Sequence, residues 1–131
     1  MKFYIAGRWL ERKFIKTIMT HIEKMGHTVT HDWTIEGEDV GYDPAELAVN
    51  AVEDIEGVKA CDVLIAITIN EHHYRGTYGE IVGALILDKP VWMVGQAPST
   101  NKFVFKFHPN VTQIKSLRSL YRKVKLCGTQ L

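Results

Sequence analysis

The chain has 131 residues, of which 46% are hydrophobic and 24% charged, the proportions of one soluble globular domain spanning residues 1–131. Lysine and arginine number 16 against 15 acidic residues, a formal net charge of +1, so no strong field draws in a nucleic acid polymer or an anionic membrane. No apolar run approaches a membrane-spanning length, and Met1-Lys2 runs directly into FYIAG without a signal-peptide core, so a cytoplasmic protein is expected.

Lys2–Ala6 (KFYIA) reads as a buried strand ending at Gly7. From Trp9 to Met25 the apolar residues Phe14, Ile15, Ile18, Met19, Ile22 and Met25 recur at helical spacing, and Gly26 is the natural residue to end that helix. His27–Asp32 suggests a short second strand, followed by the long polar loop TIEGEDVGYDP, whose length suggests a lid or binding loop. Asp43 as N-cap and Pro44 at the first helical position open a second helix that runs to about Lys59. Val63–Ile69 is a continuous apolar, β-branched run, as expected of a strand covered on both faces. After the loop NEHHYRG, Thr77 opens a third helix that Lys89-Pro90 stops. Val91–Val94 is a further strand, Val111–Ile114 a fifth, and Ser116 to about Leu126 a closing helix with Leu117, Leu120, Tyr121 and Val124 inward. Cys61 adjoins the central strand as a small core residue, and neither it nor Cys127 has metal-ligand spacing, so no metal is expected.

Strands alternating with helices imply an α/β three-layer sandwich on a five-stranded parallel sheet, with the flavodoxin-like, Rossmann-like order 2-1-3-4-5. Ligands bind such sheets at the carboxyl ends of the strands, beside the switch point. That places Gly7-Arg8-Trp9, after strand 1, and NEHHYRG, after strand 3, on the two sides of one crevice.

Two carboxylates stand in unusual positions. Leu47, Ala51, Asp54 and Val58 share one helix face, so Asp54 is turned toward apolar surroundings. Such a group costs several kcal/mol unless it is partnered or lines a cavity; alternatively it reaches round to water or to a lysine. Thr77-x-x-Glu80 fits a capping box, in which Glu80 merely satisfies a backbone N–H. It also lies at the carboxyl edge beside Gly76 and Gly79, where a ligand can approach the backbone closely. Two carboxylates with separate roles suit chemistry at a sugar anomeric carbon. His72 and His73, being adjacent, should point opposite ways. His21, His27, His31 and His108 are scattered and read as exposed loop residues. Trp9 and Trp33 follow strands 1 and 2 and either stack on a nucleobase or pack in the core. Arg8 and Arg75 either hold an anion or are simply solvated.

The opening FYIAG, the segment EDIEGVKACDVLIAI and the stretch RGTYGEIVGALILDKPVWMVG together resemble the nucleoside 2-deoxyribosyltransferase family, which includes deoxynucleoside 5′-monophosphate N-glycosidases; the resemblance covers about residues 2–95. Its pattern is an acidic residue eight positions before the aspartate that opens strand 3, here Asp54 before Asp62, followed after the strand by G-T-x-x-E, here Gly76 to Glu80. The resemblance implies that Glu80 attacks C1′ to form a covalent sugar–enzyme ester, and that Asp54 assists departure of the base. Water or a second base then takes the sugar, with no cofactor. From their places on the crevice loops, substrate contacts are expected of Gly7, Arg8, Trp9, Trp33, Tyr74, Arg75 and Gly76. The resemblance also implies a homodimer or larger homo-oligomer in which a neighbour's polar residue, Asn101 here, completes the site. The chain departs from the pattern in two places. Tyr74 stands where the transferases carry an aspartate for the 5′-hydroxyl and the nucleotide hydrolases a serine for phosphate. Gly83, three residues after Glu80, replaces the usual E-x-G. A second hypothesis is a nucleotide-binding sensor with the same crevice and no chemistry. An FMN module is disfavoured, because AGRWLERK lacks a phosphate cradle.

Overall fold

The computed structural model describes residues 1–35 and 43–128. Five strands, β1 (Lys2–Ala6), β2 (Thr28–Val29), β3 (Val63–Ile67), β4 (Val91–Val94) and β5 (Val111–Ile114), form one parallel sheet in the order β2-β1-β3-β4-β5. The helices are α1 (Arg12–Lys24), α2 (Pro44–Ala60), α3 (Arg75–Ile86) and α4 (Leu117–Gly128). The layering and strand order expected from the sequence are those observed. Every residue of β3 and of β4 is buried, as are Phe3 to Ala6 of β1, so the centre of the sheet is apolar on both faces. α1 buries Ile15, Ile18, Met19 and Ile22 along one stripe and ends at Gly26, whose φ of +92° explains the glycine. α4 buries Leu120 and Val124.

Several details differ from the sequence reading, among them β3, which stops at Ile67 rather than Ile69. Trp9–Glu11 forms a short 3-10 turn, and α1 starts only at Arg12. β2 has two residues where six were expected. The Thr30 N–H donates to Phe3 O as the last rung, and Asp32 then accepts from the Thr34 N–H at 3.0 Å and turns the chain into the 3-10 segment Trp33–Ile35. The next acceptor along β1, Ile5 O, receives the indole N–H of Trp33 at 2.7 Å in place of a strand partner. α3 begins at Arg75, two residues before Thr77. α2 packs on the sheet only around Gly57 and Val58, so Leu47, placed on its inward face by periodicity, is 43% exposed, as is much of the apolar surface nearby (Val52, Ile55). Asp43 caps α2 as expected, accepting the Ala45 N–H at 3.0 Å with Pro44 following. Most of the loop read as a lid, residues 36–42, lies outside the described residues.

Cys61 is buried, its thiol donating to Val58 O, and burial pushes that thiol up from its ordinary value. Among the described residues no helix is long and apolar enough to cross a membrane.

Candidate active site

A cleft of about 300 Å³ opens at the carboxyl ends of β1 and β3, at the switch point. Three stretches build it. The turn after β1 contributes Gly7, Arg8 and Trp9; Trp33 closes one side; and the segment from His73 to Thr77 opens α3 on the other. Asp54 from α2 and Glu80 from α3 both line it.

Each acidic residue is delivered by backbone geometry. A Cβ on Gly57 would lie 2.8 Å from His31 Cβ and 2.9 Å from two Tyr4 ring atoms, so only glycine lets α2 close on the sheet there. Asp54 sits about one turn before that contact and leans over the end of β1, its side chain 33% exposed. His31 stands beside it, with Nε2 3.3 Å from Asp54 Oδ1 and 4.0 Å from Glu53 Oε2. Glu80 rides in the second turn of α3. Because Tyr74 is the N-cap of that helix, Thr77 is its third residue and the capping box anticipated for Thr77 and Glu80 does not form. Thr77 and Glu80, three residues apart on a helix, instead share the face turned to the cleft. Both carboxylates have an oxygen shielded from solvent.

The start of α3 is an open helix end. Tyr74 gives no side-chain cap, and the first helical bond is from the Tyr78 N–H to Tyr74 O, so the N–H groups of Arg75, Gly76 and Thr77 project from the helix end. Thr77 is 2% exposed, and its Oγ1 is buried with no hydrogen-bond partner among the described residues. A Cβ on Gly76 would meet nothing within 4 Å, so packing does not require this glycine, yet it lines the cleft. Gly79, equally unencumbered, lies outside the cleft lining.

The opposite wall is aromatic. The rings of Trp9 and Trp33 lie 6.5 Å apart at 43°, with the Arg12 guanidinium 4.5 Å from the Trp9 ring centre. Trp33 is buried, and its position is set by the Asp32 turn. Burial pushes the Asp32 carboxyl up, but the bonds from Lys16 and Thr34 outweigh it and hold the group below its ordinary value. Tyr74, the departure from the resembled pattern, does not offer its hydroxyl to the cleft. It is 2% exposed, its O–H donates to Asn70 O, and burial with the nearby Glu11 charge pushes it up to about 12.

All but one of the site residues anticipated from the sequence therefore meet in one cleft. Asn101 is the exception: it lies in the 3-10 turn Pro98–Lys102, accepts from Lys106 Nζ at 2.7 Å and borders a different hollow with Gln96, Gln113 and Lys115. His73 lines the cleft while His72 turns away to Arg8, as expected for adjacent residues in an extended loop. His31 and Tyr4 were missed. His31 was read as a loop residue, and the pairing that makes it relevant crosses from the end of β2 to α2. His27 is buried against Phe3 rather than exposed.

These features define a doubly wound α/β domain with two carboxylates, an aromatic wall and an uncapped helix end at its switch point. No protein-family model and no curated protein matches the chain in sequence. Its fold is shared with several solved structures. The 2-deoxyribosyltransferase of the psychrotolerant Bacillus psychrosaccharolyticus matches with a TM-score of 0.62 at 21% identity, over 75% of this chain and 74% of that one. The CMP N-glycosidase BcmB of Clostridium botulinum matches with a TM-score of 0.66 at 20% identity, over 97% and 99%. A conserved protein from Enterococcus faecalis V583 matches with a TM-score of 0.64 at 15% identity, over 97% and 98%.

Proposed function

We propose that this chain is an enzyme that breaks the N-glycosidic bond of nucleoside 5′-monophosphates, passing the sugar phosphate to water or to a second base through an ester on Glu80. The observation that carries the reading is the convergence of Asp54 and Glu80, from different helices, on one cleft. Glu80 attacks C1′ as the C1′–N bond breaks, and the bond's electron pair leaves with the base. Asp54 in its protonated form gives the departing base a proton, and His31 beside it orients the carboxyl. In the second step an incoming water or base nitrogen displaces Glu80 from C1′ and surrenders its proton to Asp54. The base lies against Trp9 and Trp33. The phosphate lies at the start of α3, against the projecting N–H groups, the Thr77 hydroxyl, Arg75 and Arg8, which lines the same cleft. Two observations favour a phosphate over a 5′-hydroxyl: the buried Thr77 Oγ1, and a fold likeness that runs the whole length of a CMP N-glycosidase but only three-quarters of a 2-deoxyribosyltransferase.

The same reading includes a homo-oligomer in which Asn101 completes a neighbour's cleft. Exposed apolar side chains on α2 (Leu47, Val52, Ile55), with Ile86 and Leu87 at the end of α3, support it as surface for a second copy. The compartment is the reducing cytoplasm, consistent with the free Cys61 and Cys127.

The test is incubation with the common nucleosides and their 5′-monophosphates, with and without adenine as acceptor, with base release followed chromatographically. Release from monophosphates, its loss in Glu80→Ala, and a sugar-phosphate adduct in the intact mass of acid-quenched enzyme are expected. Unchanged turnover in Glu80→Ala would overturn the mechanism. Saturable nucleotide binding with no product would make the protein a sensor.

A further inference from the structure

Arg8 lines the cleft, but it is not held there by its own loop. Its Nη1 lies 2.5 Å from Nδ1 of His72, across the crevice on the loop that follows β3. A guanidinium has only donors, so Nδ1 must present its lone pair, and the proton of the neutral ring must be on Nε2. That nitrogen faces Glu11, 3.8 Å from Oε1. Glu11 is itself 14% exposed in its side chain and is fixed from behind, because its other oxygen accepts from Asn70 Nδ2 at 2.7 Å. The order Asn70, Glu11, His72, Arg8 thus stitches the turn after β1 to the loop after β3, the two segments that bound the cleft. Tyr74 closes the far end by donating to Asn70 O.

We infer that Glu11 and His72 are positioning residues for Arg8, and that the charge state of His72 sets how firmly the cleft holds an anionic substrate. The inference rests on the reading of the cleft as a nucleotide site. Glu11 fixes the tautomer, since its carboxylate favours the proton on Nε2. The tautomer presents an acceptor to Arg8. With one donor held by His72, the remaining N–H groups of the planar fork are presented at a fixed angle. A second proton on the ring removes the acceptor and sets a cation against the guanidinium, so the ring turns to Glu11 and Arg8 is released. Among the described residues the charged groups facing the ring are Arg8 and Glu11, both from the segment after β1; on its own loop the Tyr74 ring lies 6.0 Å away, its hydroxyl pushed up to about 12.

The test is steady-state kinetics on 5′-monophosphates and the matching nucleosides from about pH 8 to about pH 5.5. In the wild type KM for the monophosphate rises toward acid while KM for the nucleoside stays flat. His72→Leu raises KM for the monophosphate about tenfold at every pH and changes kcat less than about threefold, because Glu80 and Asp54 are untouched. His72→Gln, whose amide oxygen accepts from Arg8 but takes no proton, restores the neutral-pH KM and keeps only the acid limb due to the phosphate's own titration. Identical acid limbs in the wild type and His72→Gln, or an unchanged KM in His72→Leu, would overturn the inference. The imidazole nitrogen shifts in NMR provide a readout that needs no turnover: His72 carries its proton on Nε2 in the wild type and loses that preference in the double variant Arg8→Leu/Glu11→Leu, where neither neighbour selects a tautomer. A wild type that turns over no nucleotide yet shows the Nε2–H tautomer defeats the assignment of function and leaves the brace standing. A mixed tautomer in the wild type defeats the brace alone.

Discussion

Replacing Gly76 with alanine separates what the fold needs from what the cleft needs. An added Cβ at Gly76 meets no atom of the described residues within 4 Å, and φ there is not left-handed, so the new methyl neither clashes with them nor strains the backbone. Gly76 lies in the first turn of α3, where alanine loses less backbone freedom on folding. The variant should therefore gain about 0.4–1 kcal/mol, a rise of about 2–5 °C in Tm for a domain of this size. Gly79, also in α3 and also open, should gain the same. The two differ in one respect: Gly76 lines the cleft and Gly79 does not. At Gly76 the methyl stands where the proposed phosphate comes within hydrogen-bonding distance of the helix N–H groups, so KM for 5′-monophosphates should rise about tenfold or more, the loss of about 1.4 kcal/mol of binding. Gly79→Ala should keep the wild-type KM. Scanning calorimetry and steady-state kinetics on both variants decide it. Equal KM values in the two variants would show that the substrate does not sit against the start of α3. A lower Tm in Gly76→Ala would refute the packing argument.

Gly57→Ala forces a methyl to within 2.9 Å of the Tyr4 ring and His31, so it should lose about 1–3 kcal/mol in urea unfolding and also slow turnover through the displaced Asp54; an unchanged midpoint would refute the close contact. His31→Leu removes the imidazole 3.3 Å from Asp54 and should lower kcat about tenfold, with His31→Gln recovering part of it; equal loss in both variants would argue against a hydrogen-bonding role. Tyr74 binds its proton more tightly folded, with a value pushed up to about 12, than unfolded near 10. Its contribution is therefore complete below about pH 10 and lost as pH rises toward 12, about 2–3 kcal/mol that wild-type unfolding curves should show and Tyr74→Phe should lack.

What the sequence disclosed and what it hid divide along a physical line. The centre of the sheet was legible because β3 and β4 are covered on both faces, and a continuous apolar run has few other fates. The caps at Asp43 and Gly26 were legible because each acts within its own few residues. β2 was overestimated because a short turn, built on Asp32, takes the chain away from the sheet after two residues. The start of α3 was misplaced because Thr77 and Glu80 imitate a capping box, while the real N-cap, Tyr74, is a residue whose side chain caps nothing. Asp54 was singled out by periodicity, though the apolar face it was assigned to is half exposed at Leu47. His31 beside Asp54 and His72 beside Arg8 were invisible, since each pairing joins segments that meet only once the sheet has formed.

The indole of Trp33 has two employments at once. Its face is a wall of the cleft, and its N–H completes the hydrogen bonding of β1 where β2 has already departed. The lining of the cleft and the architecture of the sheet are thereby fused in a single side chain. Any exchange that reshapes the aromatic wall also deprives Ile5 O of its donor in a buried setting, a penalty of about 1–3 kcal/mol. If the proposed nucleobase contact holds, a change of base preference is freer to work through the more exposed Trp9 than through its buried neighbour.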